Sequence, residues 1–344
     1  MKKQLYVLML LALMIQGFSL MQSVFEKPEH FPAPVYDFEK NPLSADKILL
    51  GRVLFYDPIL SRNNTISCSS CHSPYNAFAH VDHDLSHGIE DRIGTRNAPA
   101  LMNLAWQKNF MWDGAINHLD MQALAPISHP KEMDENMEHV VLKLKQSSIY
   151  PALFAKAFGD SLITGQRILL ALSQFQLTFV SSASKYDSVM TGKAKFTMQE
   201  KSGYRLFRKH CNACHREPLF SNYEFRNNGL PVDTSLNDMG RMKITQKSED
   251  SLLFKVPTLR NVEYSYPYMH DGRFKTLHQV MNHYSGGIQN SPTLSKELYK
   301  AIHLSAEEKV DIVAFLLTLS DRRFIFNPAY SFPKNILLPG AKVR

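Results

Sequence analysis

Apolar positions along this chain recur mostly at helical spacing. After Ser44, a residue suited to capping a helix, Ile48, Leu49, Val53 and Leu54 fall on one face. The same spacing predicts helices over about 133–147, 164–182, 197–210, 276–284 and 305–320. Between them run long stretches rich in Pro, Gly and Asn, with few alternating patterns of the strand type. Residues 24–43, with Pro28, Pro32, Pro34 and Pro42, read as an extended arm. The expected fold class is mainly α with long loops. Loops of that length in a folded domain need something to organise them, and a large prosthetic group would do so.

An internal repeat divides the chain. Pro99-Ala100-Leu101-Met102-Asn103 matches Pro257-Thr258-Leu259-Arg260-Asn261. Ten residues after each Asn comes Asp-Gly (Asp113-Gly114 and Asp271-Gly272), and six after each Asp comes a leucine, Leu119 or Leu277. Two domains related by duplication are expected, at 23–190 and 191–320, with the boundary near Tyr186–Lys195 and 321–344 as a tail packed on them. The first residues have a different character. Lys2 and Lys3 precede an apolar stretch from Leu5 to Ile15, followed by Gly17 and Ser19. This reads as an export signal ending near residue 22, too short for the roughly 20 residues that span a bilayer. No Ala-x-Ala site follows, so an uncleaved anchor stays open, whereas a lipoprotein anchor is excluded because no cysteine lies there. The expected location is the periplasm.

Composition narrows the class. The chain has 344 residues, 44% hydrophobic and 21% charged, which argues for folded domains with real cores. Its formal charge is +7, but the basic residues are scattered, so nucleic acid is not an expected partner. Losing Lys2 and Lys3 with the signal lowers the charge to +5.

The four cysteines change the picture most. They form Cys68-Ser69-Ser70-Cys71-His72 and Cys211-Asn212-Ala213-Cys214-His215, and none is spare. In C-x-x-C-H the two thiols can add to the vinyl groups of a haem while the adjoining histidine reaches the iron. A structural zinc site or a redox disulfide would also use such cysteines. Zinc does not explain a histidine directly after both pairs, and a thioredoxin-like motif calls for a βαβ context that this pattern lacks. Two covalently bound c-type haems are the expectation. Their four propionates would bring the net charge close to neutral.

Further motifs give a family resemblance: Phe55-Tyr56-Asp57-Pro58 with Leu60-Ser61, both Cys/His clusters, Arg96-Asn97-Ala98-Pro99, Trp112-Asp113-Gly114, Gln122, Pro126, Glu132-Met133 and the stretch from Val256 to Gly287. In order and spacing the chain resembles the bacterial dihaem cytochrome c peroxidase and MauG family over almost its whole mature length. The resemblance implies two cytochrome c-like haem domains, with His72 and His215 as proximal iron ligands. In the repeat, Pro126 and Tyr284 lie 13 residues after Asp113 and Asp271. Proline would leave the N-terminal haem open to peroxide, and Tyr284 would close the C-terminal haem. Methionine usually stands there in members that use cytochrome c, so Tyr284 looks like the MauG variant, with Met281 one turn away as the alternative ligand. Ile89 occupies the place of the removable distal histidine of the classical peroxidases. His80, His83 and His87 are nearby candidates for that role.

The same resemblance implies catalytic roles for Glu132, as the acid–base group of peroxide cleavage, for Gln122, as a pocket amide, and for Trp112, as a relay between the haems. Glu132 and Gln122 could otherwise be polar helix positions, and Trp106 reads as core. Asn97 and the backbone carbonyls of Ser265 and Pro267 match a calcium site, whose oxygen ligands suit a hard cation. His270 is expected to order the second haem pocket. The leading reading is a periplasmic peroxidase reducing hydrogen peroxide (H2O2) to water, with a small cytochrome c or cupredoxin as electron donor. A MauG-like oxidase modifying a partner protein is the second, and a non-catalytic dihaem carrier the third. A homodimer is left open.

Overall fold

The structure, a computed structural model, describes residues 25–339, so the expected export signal lies outside the described residues. Helices dominate, and the two-residue strands Phe225–Arg226 and Phe254–Lys255 pair antiparallel. Two apolar cores are present, each built on a pair of crossed helices.

In the first core Ala45–Tyr56 packs on Gly165–Leu177, and in the second Met198–His210 packs on Ala306–Leu317. Both crossings need a glycine. A Cβ on Gly51 would collide with the Ala171 carbonyl, and one on Gly203 with the Asp311 carbonyl, so the helix backbones touch at the same point in each half. Phe55 and Phe175 stand beside the first crossing, Phe207 and Phe315 beside the second. Each second helix is closed alike, by Thr178 or Thr318 donating its hydroxyl to the carbonyl of Phe175 or Phe315 at 2.6 Å.

The sequence repeat is also a backbone repeat. Asn103 and Asn261 both take left-handed φ values (53° and 56°), as do Met111 and Met269, and Gly114 and Gly272. Asn103 N donates to Phe179 O at 2.7 Å and Asn261 N to Leu319 O at 3.1 Å, which ties each copy to the end of its own core helix. Where the copies meet, the bonding is reciprocal. Asn97 N donates to His270 O and Lys255 N to Trp112 O, both at 2.7 Å, and these four residues are repeat counterparts in pairs. The junction is therefore arranged about a pseudo-twofold axis.

Several boundaries depart from the periodicity. The helix expected at 133–147 is Met137–Gln146, because the Asn136 side chain accepts from His139 N and starts it there. The one expected to 182 ends at Leu177, where Thr178 closes it. Beyond Leu277–Asn282 the chain continues as a π-helical turn, His283–Gly287. Tyr150–Phe158 was not expected; its signals are Pro151 in the first turn and Gly159 in the left-handed conformation after the last.

The arm packs on the first core, with Phe31 edge-on to Trp106 and the Trp106 indole donating to Pro32 O at 2.9 Å. Trp106 is core, as its sequence reading has it. The tail returns to the first core through Phe324 and Tyr330, whose hydroxyl donates to Thr178 O. Lys185–Met190 places Tyr186 in the second core.

Candidate functional site

Cys68–Cys71 is a single helical turn, and His72 N donates to Cys68 O at 2.9 Å, so both thiols and the ring project from one short segment. The ring is aimed by its second nitrogen. His72 Nδ1 lies 2.7 Å from Phe78 O, and Phe78 is locked in a stack on Phe179 with ring centres 3.8 Å apart. With Nδ1 donating, Nε2 is the lone-pair nitrogen left for a metal. Burial lowers the His72 pKa to about 4, so the ring is neutral and ready to ligate.

The second cluster follows Met198–His210 and has the same hydrogen-bond form, with Cys214 N and His215 N both donating to Cys211 O. His215 Nδ1 lies between Phe220 O (3.3 Å) and Pro257 O (3.2 Å), and burial again lowers its pKa to about 4. None of the four cysteines forms a disulfide, and burial raises the Cys68 and Cys211 thiols to about 12. Among the described residues no group of three or more His, Cys, Asp or Glu is placed to hold a metal ion. The zinc reading thus lacks its ligand set.

A cavity of about 250 Å³, room for far more than one water at about 10–15 Å³, opens over Cys211, Cys214 and His215. Four buried polar atoms of lining residues have no partner: Tyr223 Oη, Arg226 Nε, Ser295 Oγ and Glu297 Oε2. Orphaned groups around a large apolar hollow, above two thiols and an aimed imidazole, fit a haem.

That cavity gathers many of the expected residues. Tyr284 and Met281 both reach its wall, Tyr284 from the π-helical turn and Met281 from within the second apolar core. Burial raises the Tyr284 pKa to about 12. Trp112, Asn97, Ser265, Pro267 and His270 line it from the domain junction. The Trp112 indole donates to Asn97 O at 2.9 Å, and Asn97 Nδ2 donates to Asp84 O at 3.0 Å, which turns the amide oxygen of Asn97 away from that bond. His270 stacks on Phe254 with ring centres 3.7 Å apart and orders this wall.

Glu132 belongs to the other cluster. Its charge contributes to raising the Cys71 thiol pKa, and its carbonyl accepts from Ile89 N at 2.7 Å. Burial raises the Glu132 carboxyl above the usual range, opposed by His129 at 3.7 Å. Gln122 ends the turn Leu119–Gln122, directly before the segment carrying Pro126, and Pro126 O accepts from Met133 N at 3.2 Å. Gln122, Pro126 and Glu132 thus follow one another on one stretch of folded chain, of which Glu132 lies near Cys71. Ile89 is fully buried. His83 stacks on His87 with centres 4.0 Å apart, His87 Nδ1 lies 2.7 Å from Asp91, and His80 Nδ1 is buried without a partner. Two further residues, Lys255 and Arg260, had no role assigned in the sequence. Their signal was the repeat itself, which sets a lysine against Asn97 and a buried arginine against Met102.

A family model described as di-haem cytochrome c peroxidase matches residues 45–195, and one described as cytochrome c matches 200–320. The chain is 36% identical over 316 residues to the methylamine utilization protein MauG of Methylorubrum extorquens, covering 88% of this chain and 85% of that protein. The chain belongs to the di-haem cytochrome c peroxidase family. A second relative, cytochrome c551 peroxidase of Nitrosomonas europaea, is 38% identical over 296 residues, covering 81% of each chain. Among solved structures, a MauG-like protein associated with microbial copper homeostasis superposes with a TM-score of 0.79 at 32% identity, covering 90% of this chain and 99% of that one. As a member of this family, the chain is an oxidoreductase, and its two cytochrome c domains support two haems.

Proposed function

We propose that this protein reduces H2O2 to water at the His72 haem, with electrons arriving through the His215 haem and Trp112. The haems supply the redox-active iron, and the chain arranges the protons, the access and the path between the two centres. The observation that carries the reading is Glu132, a carboxyl near Cys71 whose pKa burial raises above the ordinary carboxyl value. Such a group can take a proton from one peroxide oxygen and return it to the other. Gln122 stands in the same stretch as the amide that orients peroxide, and Pro126 offers no ligating atom of its side chain. Trp112, pinned at its indole by Asn97 and at its carbonyl by Lys255, is the oxidisable ring at the junction. Tyr284, in the wall of the second cavity, would offer its phenolic oxygen to the iron there. Asn97, through its amide oxygen, and the carbonyls of Ser265 and Pro267 suit Ca²⁺. With the N-terminal export signal, the location is the periplasm and the donor a small cytochrome c or cupredoxin.

A second reading, peroxide-dependent oxidation of a partner protein, is favoured by Tyr284 in place of methionine and by the MauG relatives. Steady-state H2O2 consumption with reduced cytochrome c or cupredoxin separates the two. Donor-dependent turnover supports the peroxidase. A lasting optical change after one equivalent of peroxide, without turnover on any small donor, supports the partner-protein oxidase. A holoprotein whose spectrum ignores peroxide would overturn both.

A further inference from the structure

Lys255 stands out among the charged groups at the domain junction. It lines the cavity over Cys211, Cys214 and His215 and is withdrawn from bulk water. Its ammonium donates to Gln107 Oε1 and to Asn109 O, both at 2.8 Å, and both acceptors are neutral. Among the described residues no carboxylate forms an ion pair with it; Asp113 acts on it only at longer range. An ammonium has three N–H donors, so one is left without a hydrogen-bond acceptor, the nearest other contact being the Phe110 ring with its centre 5.7 Å away. A desolvated cation without a counter-charge is costly, and burial alone lowers the pKa of this lysine to about 7. The remaining charged lining residues, Arg226 and Glu297, act on Cys214 and so lie toward the cysteine edge. Lys255 faces the junction instead, and its own N–H holds the Trp112 carbonyl.

The repeat shows that a charge is not required by the fold here. The counterpart position in the N-terminal half is Asn97, which makes the equivalent backbone bond to His270 with a neutral side chain. The ammonium is an addition made on one side only, against the cavity and beside the relay ring.

We propose that Lys255 is the internal counter-ion of the C-terminal haem: its free N–H meets a haem propionate, and its charge raises that haem's reduction potential, making it the better electron acceptor. This rests on the haem reading above. A fixed cation stabilises the reduced centre, which carries one positive charge fewer than the oxidised one. Lys255 is a positioning residue in this sense, acting through the cofactor rather than on peroxide.

The test is spectroelectrochemical titration of the holoprotein, resolving the two haems, in Lys255→Met, Lys255→Gln and Lys255→Arg variants. Covalent haem content is measured first by mass. With both haems attached, Lys255→Met and Lys255→Gln should shift the ferric/ferrous equilibrium of the C-terminal haem at least tenfold toward ferric, about 59 mV for one electron. Lys255→Arg should stay within threefold of the parent, and the N-terminal haem should move less than twofold in all three. Full haem content with an unmoved C-terminal equilibrium overturns the proposal alone. Equal shifts at both haems, or an arginine variant as displaced as the neutral ones, overturn it in favour of packing. A parent protein without covalently attached haem overturns the haem reading itself.

Discussion

The N- and C-terminal halves share their frame and differ where they face their cofactors. Gly51 and Gly203, Phe175 and Phe315, Thr178 and Thr318, and Asn103 and Asn261 occupy matching places, and each matching pair makes the same contact. These residues are set by backbone geometry: a helix crossing with no room for a Cβ, a helix end, a left-handed turn. At cofactor-facing positions the halves diverge in chemistry. Pro126 stands against Tyr284, Trp112 against His270 and Asn97 against Lys255. Glu132 has only Asn290 in register with it. Duplication thus supplied two equivalent scaffolds, and on the proposed function it is the unequal side chains that separate a centre for peroxide from one for electrons.

The largest expected effect concerns the residue without an acidic counterpart. Glu132→Gln should slow the reaction with peroxide by about 10²–10⁴-fold, the range for loss of a general acid–base. Both haems should stay attached, as stopped-flow spectra and mass would show. An unchanged rate would remove Glu132 from the chemistry and with it the functional asymmetry of the halves.

A second asymmetry is structural. Arg260 is fully buried and pairs with Asp187 through two bonds at 2.9 and 2.8 Å, whereas its counterpart Met102 is an equally buried apolar residue. Arg260→Met copies the N-terminal half into the C-terminal one but takes the guanidinium from the Asp187 carboxylate, which keeps only His30 and Ser184 as partners. Removing one partner of a buried pair costs about 3–5 kcal/mol, so denaturant unfolding should show a loss of that order. The shared frame makes the opposite prediction, of equal effects. Gly51→Ala and Gly203→Ala each push a methyl into a facing carbonyl. Each should lose about 1–3 kcal/mol by overpacking, and the two losses should agree. A large loss in only one half would show that the crossings are not equivalent.

Much of this was legible in the sequence for a local reason. Helices with clear apolar faces and Ser, Thr or Asn caps are decided within a few residues, as is the turn that sets Cys68, Cys71 and His72 in order. Helix ends depended on single side chains such as Thr178, and Tyr150–Phe158 was announced only by Pro151 and Gly159 at its ends. Lys255 and Arg260 were not legible by local pattern. Their meaning comes from Gln107, Asn109 and Asp187, which only folding brings near. Glu132 is intermediate: family spacing marked it, but its raised pKa depends on the packing that desolvates it near Cys71.

The smallest effect separates the two halves by acid. Burial pushes the Asp187 carboxyl up, but the Arg260 guanidinium, helped by the Ser184 hydroxyl and N–H, more than offsets this and holds it at about 2, below the ordinary 3.8. A depressed folded-state pKa means that the unfolded chain binds the proton more readily. The pair's contribution is therefore complete above about pH 4 and is lost as pH falls toward 2. The shift corresponds to about 2 kcal/mol, at roughly 1.4 kcal/mol per unit. In Arg260→Met the Asp187 carboxylate keeps His30 and Ser184 but loses the guanidinium, so acid weakens the variant less than it weakens the parent. The stability gap between parent and Arg260→Met, measured by urea unfolding of the holoproteins, should be widest near neutrality and narrow by up to about 2 kcal/mol from pH 4 to pH 2. A gap independent of pH would mean that Arg260 acts through its packing on Phe31 and Phe220 rather than through its charge. The arginine that distinguishes this half from its counterpart would then be a matter of shape.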